Sequence, residues 1–338
     1  MSRVWLVIAM TTLGCNENEF SIVRQDNADR FTQTEAGAAD ILLVVDNSCS
    51  MEPFQQKLAS NFDTFLTFFL EGDVDYQIGV VTTTVDAVDP RLSDCSVSEL
   101  DAVTVGGALV DGQIITASTP SASETFSDIV NVGTCGAGTE MGLEAAARAL
   151  SDGNNPGFVR DDATLSLIFV SDEQDVSPLP INQYLNTYRS AKATVDRRPP
   201  LNISALVVDD IGQCSASQIE QGASEGSRYV DVAEQASGVV VNICNDDFAE
   251  IVTELSLNSS GLEDTFVLSR LPSPSSIRVA VAGEDIPCES GAWRYDLRIG
   301  EQAVIIFDRS ALPPPFAEIE VEYNDGDGDP FLFCPEAR

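Results

Sequence analysis

The sequence predicts an α/β protein with a doubly wound, mostly parallel sheet, followed by a small C-terminal antiparallel β-domain. Three observations predict it. Short, uninterrupted apolar runs recur along the first two-thirds of the chain, as strands buried on both faces of a parallel sheet require. Each run is followed by a segment of helical period, the β-then-α alternation of a wound sheet with right-handed crossovers. After about Leu262 the apolar period changes from helical spacing to strict alternation, the mark of half-buried antiparallel strands. With 338 residues, 43% of them hydrophobic, the chain can bury one large core and a smaller one.

The first strand is the run Ile41-Leu42-Leu43-Val44-Val45. Phe54, Leu58, Phe62, Phe65, Leu66 and Phe69 then recur at helical spacing, with Ser50 placed to cap that helix. Residues 76–83 form the next strand. Residues 86–120, rich in Asp, Gly and Ser, carry one short strand at 113–116 and hairpin character. An alanine-rich helix at 141–150 leads to the buried strand 165–170 and the acids that follow it. A helix at 181–193 ends before Arg197-Arg198-Pro199-Pro200. Strand 203–208, helix 229–236, strand 239–243 and helix 248–255 complete the series, and Asn258-Ser259-Ser260 reads as a linker. In the β-domain, 262–338, the alternating triplets are Ile277/Val279/Val281, Trp293/Tyr295/Leu297 and Ile319/Val321/Tyr323, with an apolar run at 304–307. Period two makes Trp293 and Tyr295 core residues.

Charge and composition exclude several functions. Asp and Glu number 54 against 18 Lys and Arg, a net charge of −36, which repels nucleic acid and anionic lipid and favours cations. Histidine is absent, which removes imidazole bases, Ser-His-Asp and Cys-His catalysis and imidazole-bound zinc. With no nucleophile–base pairing, the chain reads as a binding protein and not an enzyme.

The amino terminus reads as an export signal at residues 1–14. Arg3 precedes an apolar stretch at 4–10, and Thr12-Leu13-Gly14 ends in Cys15. The stretch is half the about 20 residues that a membrane-spanning helix needs. The Leu-Gly-Cys end resembles the lipobox of bacterial lipoproteins, which implies a lipidated Cys15 and a membrane held by that anchor only. The location implied is the bacterial cell envelope, on the outer membrane or cell surface, or else secreted or periplasmic. Residues 15–38 are polar and read as a tether. The other cysteines are Cys49, Cys95, Cys135, Cys214, Cys244, Cys288 and Cys334, an odd number in a compartment that permits disulfides. Spacing leaves the connectivity open; pairing by segment would join Cys95 to Cys135, Cys214 to Cys244, and Cys288 to Cys334.

The chemistry concentrates behind the first strand. Asp46-Asn47-Ser48-Cys49-Ser50 offers one carboxylate and two hydroxyls from a single turn, hard oxygen donors suited to Mg²⁺, Ca²⁺ or Mn²⁺. In a wound sheet, ligands bind outside the carboxyl ends of the strands. Two further loops at that end carry oxygens: Gly138-Thr139-Glu140-Met141-Gly142 opening a helix, and Asp172 after the strand 165–170. D-x-S-x-S, a Thr and an Asp in this order resemble the von Willebrand factor A domain and its metal-ion-dependent adhesion site, over residues 39–258. That resemblance implies a Rossmann-like sheet and a divalent cation, Mg²⁺ foremost. The cation would be held by Ser48 and Ser50 directly, by Thr139 directly or through water, and by Asp46 and Asp172 through water. It implies a partner protein presenting Asp or Glu to the open position, while the alternative is a metal-independent structural scaffold of the envelope. Cys49, inside the motif, reads as a small buried residue or a disulfide partner, with the odd thiol beside the ion as the alternative; Glu173 and Asp175 read as solvated loop charge. A second acidic run, Asp325-Gly326-Asp327-Gly328-Asp329 with Glu336, has EF-hand-like spacing, but Pro330 stands at the sharp turn and the run reads as a surface turn.

Overall fold

The computed structural model describes residues 26–33, 38–71, 74–93, 95–151, 153–192, 201–236, 238–245, 247–260, 262–298, 302–308, 311–314 and 316–328. Export and lipidation at Cys15 lie outside them.

The first element among the described residues is β1 (Asp26–Thr32), and β2 (Ala38–Val45) then enters the parallel sheet. Next come α1 (Glu52–Ser60), α2 (Phe62–Glu71), β3 (Asp75–Thr82), α3 (Val97–Asp101), α4 (Ala122–Val130) and α5 (Gly142–Ala149). β4 (Thr164–Ser171), α6 (Ile181–Ala191), β5 (Leu201–Val207), α7 (Ala216–Glu220), α8 (Ser227–Glu234), β6 (Val240–Asn242) and α9 (Phe248–Ser260) complete this unit. The five strands lie in the order β3-β2-β4-β5-β6, and every pairing is parallel. Side chains alternate across β2: Ile41, Leu43 and Val45 meet α1, α2, α4 and α9, while Leu42 and Val44 meet α5, α6 and α8. Both faces are therefore covered, which is why these strands read as continuous apolar runs.

The strand order fixes where a ligand can sit. From β2 the chain steps outward to β3, then crosses back to place β4 on the other side of β2. The reversal leaves a crevice between the carboxyl ends of β2 and β4, the switch point at which such sheets bind ligands. Asp46 follows β2 and Asp172 follows β4.

The remaining strands are β7 (Thr265–Val267), β8 (Arg278–Val281), β9 (Glu284–Ile286), β10 (Trp293–Arg298), β11 (Gln302–Phe307) and β12 (Glu318–Asn324). They form two antiparallel sheets, β1-β12-β8-β9 and β10-β11-β7, whose inner faces share one core of Val279, Ile319, Val321 and Tyr323 against Phe266, Trp293, Tyr295 and Phe307. Trp293 and Tyr295 are core residues, as period two requires; their polar atoms donate to Ile286 O and Gly328 O, each at 2.9 Å.

Several expectations are corrected. Residues 26–32, read as part of a tether, form β1 and pair with β12 from end to end. The β-unit is thus completed from the amino terminus, and the parallel-sheet unit is inserted between β1 and β7. Composition hid β1 because Phe31 is its one large apolar residue; Phe31 packs on Phe266 at 5.4 Å, and Asp29 accepts from Tyr323 Oη at 2.7 Å. The helix expected over 54–69 is two, broken at Asn61, whose side-chain amide donates to Lys57 O at 2.8 Å. The break lets Phe62 stack on Phe126 at 3.8 Å. The hairpin expected in 86–120 reduces to a single bridge, Ile115 to Ile78, among short helical turns. Asn258-Ser259-Ser260 belongs to α9, where Ser259 Oγ accepts from Ser166 at 2.8 Å, and is no linker. Asp325 accepts from Asn27 Nδ2 at 2.8 Å and pairs with Arg270 at 3.2 Å; the rest of the EF-hand-like run, from Asp329, lies outside the described residues. Among the described residues, no helix is long and apolar enough to cross a membrane.

Gln33, buried immediately after β1, ties the two passages of chain between the units. Its Nε2 donates to Glu263 O at 2.9 Å and Pro313 O at 3.1 Å, and its Oε1 accepts from Glu263 N at 3.0 Å. Replacing Gln33 with Ala strips partners from buried backbone groups and is expected to cost about 2 kcal/mol in denaturant unfolding. A loss below about 0.5 kcal/mol, the level of an ordinary surface substitution, would remove Gln33 from this role.

Candidate metal centre

The turn after β2 is built to hold Asp46 out of water. Its carboxylate is fully buried, accepts from Ser48 N at 2.7 Å and takes the Ser171 hydroxyl at 2.6 Å. Asp46 N donates to Val170 O, so the turn continues the β2–β4 ladder before it bends away. Ser48 and Ser50 then present their hydroxyls side by side at 3.2 Å, and Ser50 Oγ donates to Asp172 Oδ1 at 3.0 Å. Ser50 does not cap α1, because its hydroxyl is turned to Asp172.

The loop preceding α5 supports this turn from the other side. Gly136 N donates to Asn47 O at 2.9 Å, and a Cβ at Gly136 would lie 2.2 Å from Asn47 Oδ1, so any other residue there would displace the Asn47 side chain. Gln55 Nε2 donates to both Asp46 O and Gly133 O, at 3.0 and 2.9 Å. The disulfide Cys95–Cys135 fastens that loop, and Cys214–Cys244 fastens the region after β5. Both match the pairing expected by segment. Cys288 is also disulfide-bonded, and its expected partner, Cys334, lies outside the described residues. Among the described residues Cys49 is the free, exposed thiol; its Sγ lies 3.5 Å from Thr134 O.

Asp46, Ser48, Ser50 and Asp172 are therefore brought together, as the sequence implied. Thr139 is placed differently: it is exposed, while its neighbour Glu140 is buried and turned inward. Thr83 Oγ1 donates to Glu140 Oε2, the charge of Asp46 acts on the Glu140 carboxyl, and Glu140 Oε1 is buried with no hydrogen-bond partner. The α5 amino terminus is capped by neither residue. Gly142 N donates to Tyr229 Oη, Leu143 N to Asp175 Oδ1, and Glu144 N to Ser177 Oγ. Asp175 is thus no solvated loop charge; it is buried and paired with Arg228 at 2.8 Å. Glu173 is half-buried beside Asp46 and Asp172.

These carboxyl groups hold one another away from their ordinary ionisation. Burial, opposed by the Ser171 and Ser48 donors, raises Asp46. Burial and then the charge of Asp46 push Asp172 up to about 6 and Glu140 up to about 10. The same two causes, with Asp172 added, push Glu173 up to about 7. Such a cluster lacks positive charge, and a dication among these oxygens would offset the repulsion. The spacing suits one. At Mg–O distances near 2.1 Å, adjacent octahedral ligands lie about 3 Å apart, as do the Ser48–Ser50 and Ser50–Asp172 oxygen pairs. Cys95, Glu99 and Cys135 also group closely, but the two sulfurs are bonded to each other.

Sequence reasoning missed Glu140, Ser171 and Asn47 as parts of this site. Glu140 and Ser171 flank assigned residues, and only burial distinguishes them. Asn47 carries a buried Nδ2 without a partner, and its Oδ1 accepts from Thr84 at 2.8 Å.

No family model matches the chain, and no curated protein matches it. Among solved structures, it is similar to the pilus adhesin SpaC from Lactobacillus rhamnosus GG in its open conformation. The TM-score is 0.44 and the identity 12%, covering 88% of this chain and 40% of that chain. Another crystal structure of that adhesin gives 0.43 and 11%, covering 88% and 41%. Proximal thread matrix protein 1 from the mussel byssus gives 0.34 and 14%, covering 71% and 51%. The chain spans about 40% of the adhesin's length. Likeness at this distance assigns no activity to it.

The Asp175–Arg228 pair that fixes the third loop provides a check on this architecture. Arg228→Met leaves the buried Asp175 charge with backbone and hydroxyl donors only, and is expected to destabilise the fold by about 3 kcal/mol. Unfolding curves that superimpose on wild type would show that the pair does not hold the loop.

Proposed function

We propose that the parallel-sheet unit is a cation-dependent binding module of the von Willebrand factor A type, and not an enzyme. Asp46, Ser48, Ser50 and Asp172 hold a divalent cation at the switch point, the loop of Thr139 completes the shell, and one position stays open to an Asp or Glu of a partner protein. The observation that carries this reading is the hydrogen-bonded row Ser48–Ser50–Asp172, drawn from the ends of two adjoining central strands. Serine ligands add no charge, so the ion keeps its attraction for an outside carboxylate. The surrounding charge of −36 opposes such a partner at long range, but screening confines that repulsion to about 8 Å at physiological salt. Partner binding is accordingly abolished by chelator and hastened by moderate salt.

The disulfides Cys95–Cys135 and Cys214–Cys244 support an oxidising location outside the cytoplasm, in keeping with export and a lipid anchor at Cys15. Two measurements test the proposal. Metal-stripped protein given Mg²⁺ or Ca²⁺ at a hundred times Kd gains about 2.7 kcal/mol of stability, and Asp46→Ala shows no gain. Identical melting with and without cation would refute the site. For the anchor, full-length protein expressed in a bacterium partitions into detergent, and Cys15→Ser moves it to the aqueous phase; an aqueous wild type would refute lipidation.

A further inference from the structure

We infer that Glu140, in place of Thr139, is the ligand that the loop before α5 contributes to the cation. The inference rests on the cation-binding reading above and changes one member of its donor set. Thr139 is exposed, and among the described residues its hydroxyl has no hydrogen-bond partner that would aim it at the cluster. Glu140 is 1% exposed. Its backbone is fixed by Val176 N, which donates to Glu140 O at 2.7 Å, so the loop before α5 and the loop after β4 move together. One carboxylate oxygen is held by the Thr83 hydroxyl; the other, Oε1, is buried with no donor to accept from.

Glu140 and Asp46 are both buried and the charge of Asp46 acts on the Glu140 carboxyl, so two acceptor groups are removed from water where a positive charge or a shared proton is needed to satisfy both. Burying such a pair without a compensating partner is costly, and a hard cation is the partner that oxygen donors of this kind select. The carboxylates of Asp46, Glu140 and Asp172 do not bring oxygens mutually within 4.8 Å among the described residues, so the three do not all ligate one ion in this arrangement. The roles separate accordingly: Asp172 holds the Ser50 hydroxyl, and Glu140 offers its unpartnered oxygen.

Calorimetric titration of Mg²⁺ and, separately, Ca²⁺ into metal-stripped wild type, Glu140→Gln and Thr139→Val decides the matter. Glu140→Gln keeps the shape and can donate its amide to Asp46, so its melting temperature without metal stays at or above wild type. Its affinity for the tighter cation falls about tenfold or more, while Thr139→Val stays within about twofold. Should Glu140→Gln melt below wild type, Glu140→Asp replaces it; this variant keeps the charge but withdraws the oxygen by one methylene, and the same loss is expected. Unchanged affinity in the Glu140 variants, equal losses in both positions, or a loss confined to Thr139→Val overturns the inference and leaves the cation site standing. A wild type that binds neither cation overturns both.

Discussion

A carboxylate buried at the tip of β2 is the constraint around which this molecule is arranged. Isolated burial of Asp46 would be prohibitive, and the fold answers with the Ser48 amide and the hydroxyl of Ser171, which ends β4. The Ser171 hydroxyl reaches Asp46 because β2 and β4 are neighbours while the chain between them runs out to β3 and back. The winding of the sheet and the chemistry of the crevice are therefore one fact seen at two scales.

Support around that carboxylate comes in layers of decreasing specificity. Nearest are hydroxyls and amides at hydrogen-bond distance. Beyond them, Gln55 and Gly136 bind the turn to the loop that Cys95–Cys135 closes. Further out, Asp175, Arg228 and Tyr229 order the start of α5, so that the loop bearing Thr139 and Glu140 is positioned by α8 across the sheet face. An elaborate polar scaffold in a crevice of this kind is expected where geometry must be held for a ligand, since a plain apolar core would serve stability as well.

Much of this was legible in the sequence because burial on both faces forces apolar runs. A run such as 41–45, followed at once by an acid and two hydroxyls, marks where a buried strand gives way to a polar turn. The parallel strands and most of the helices around them fall where periodicity placed them. What escaped has a physical reason in each case. Strand β1 is polar because its stability comes from backbone pairing and from contacts such as Asp29 to Tyr323, which leave no apolar period. Asn61 breaks a helix through its own side chain, a local competition that spacing of phenylalanines conceals. Glu140 and Thr139 are adjacent in sequence but point opposite ways, and no pattern of residue types states which of two neighbours faces inward. The acids Glu173 and Asp175 look alike in a string of loop residues; only the position of Arg228, more than fifty residues later, separates a buried ion pair from a half-buried neighbour of the site.

The pairing of β1 with β12 has a bearing on how the chain matures. Asn27 and Asp325, hydrogen-bonded to each other, stand 298 residues apart, so β1 must wait for β12 before its sheet can close. Loop-closure entropy makes contacts of such span late events. The inserted parallel-sheet unit, whose strands meet over shorter spans, can assemble first and bring Gln33 and Glu263 together as it does so. Newly made chains would thus carry an unpaired edge during the interval, and the acidic residues that line β12 supply mutual repulsion that discourages its capture by a second molecule.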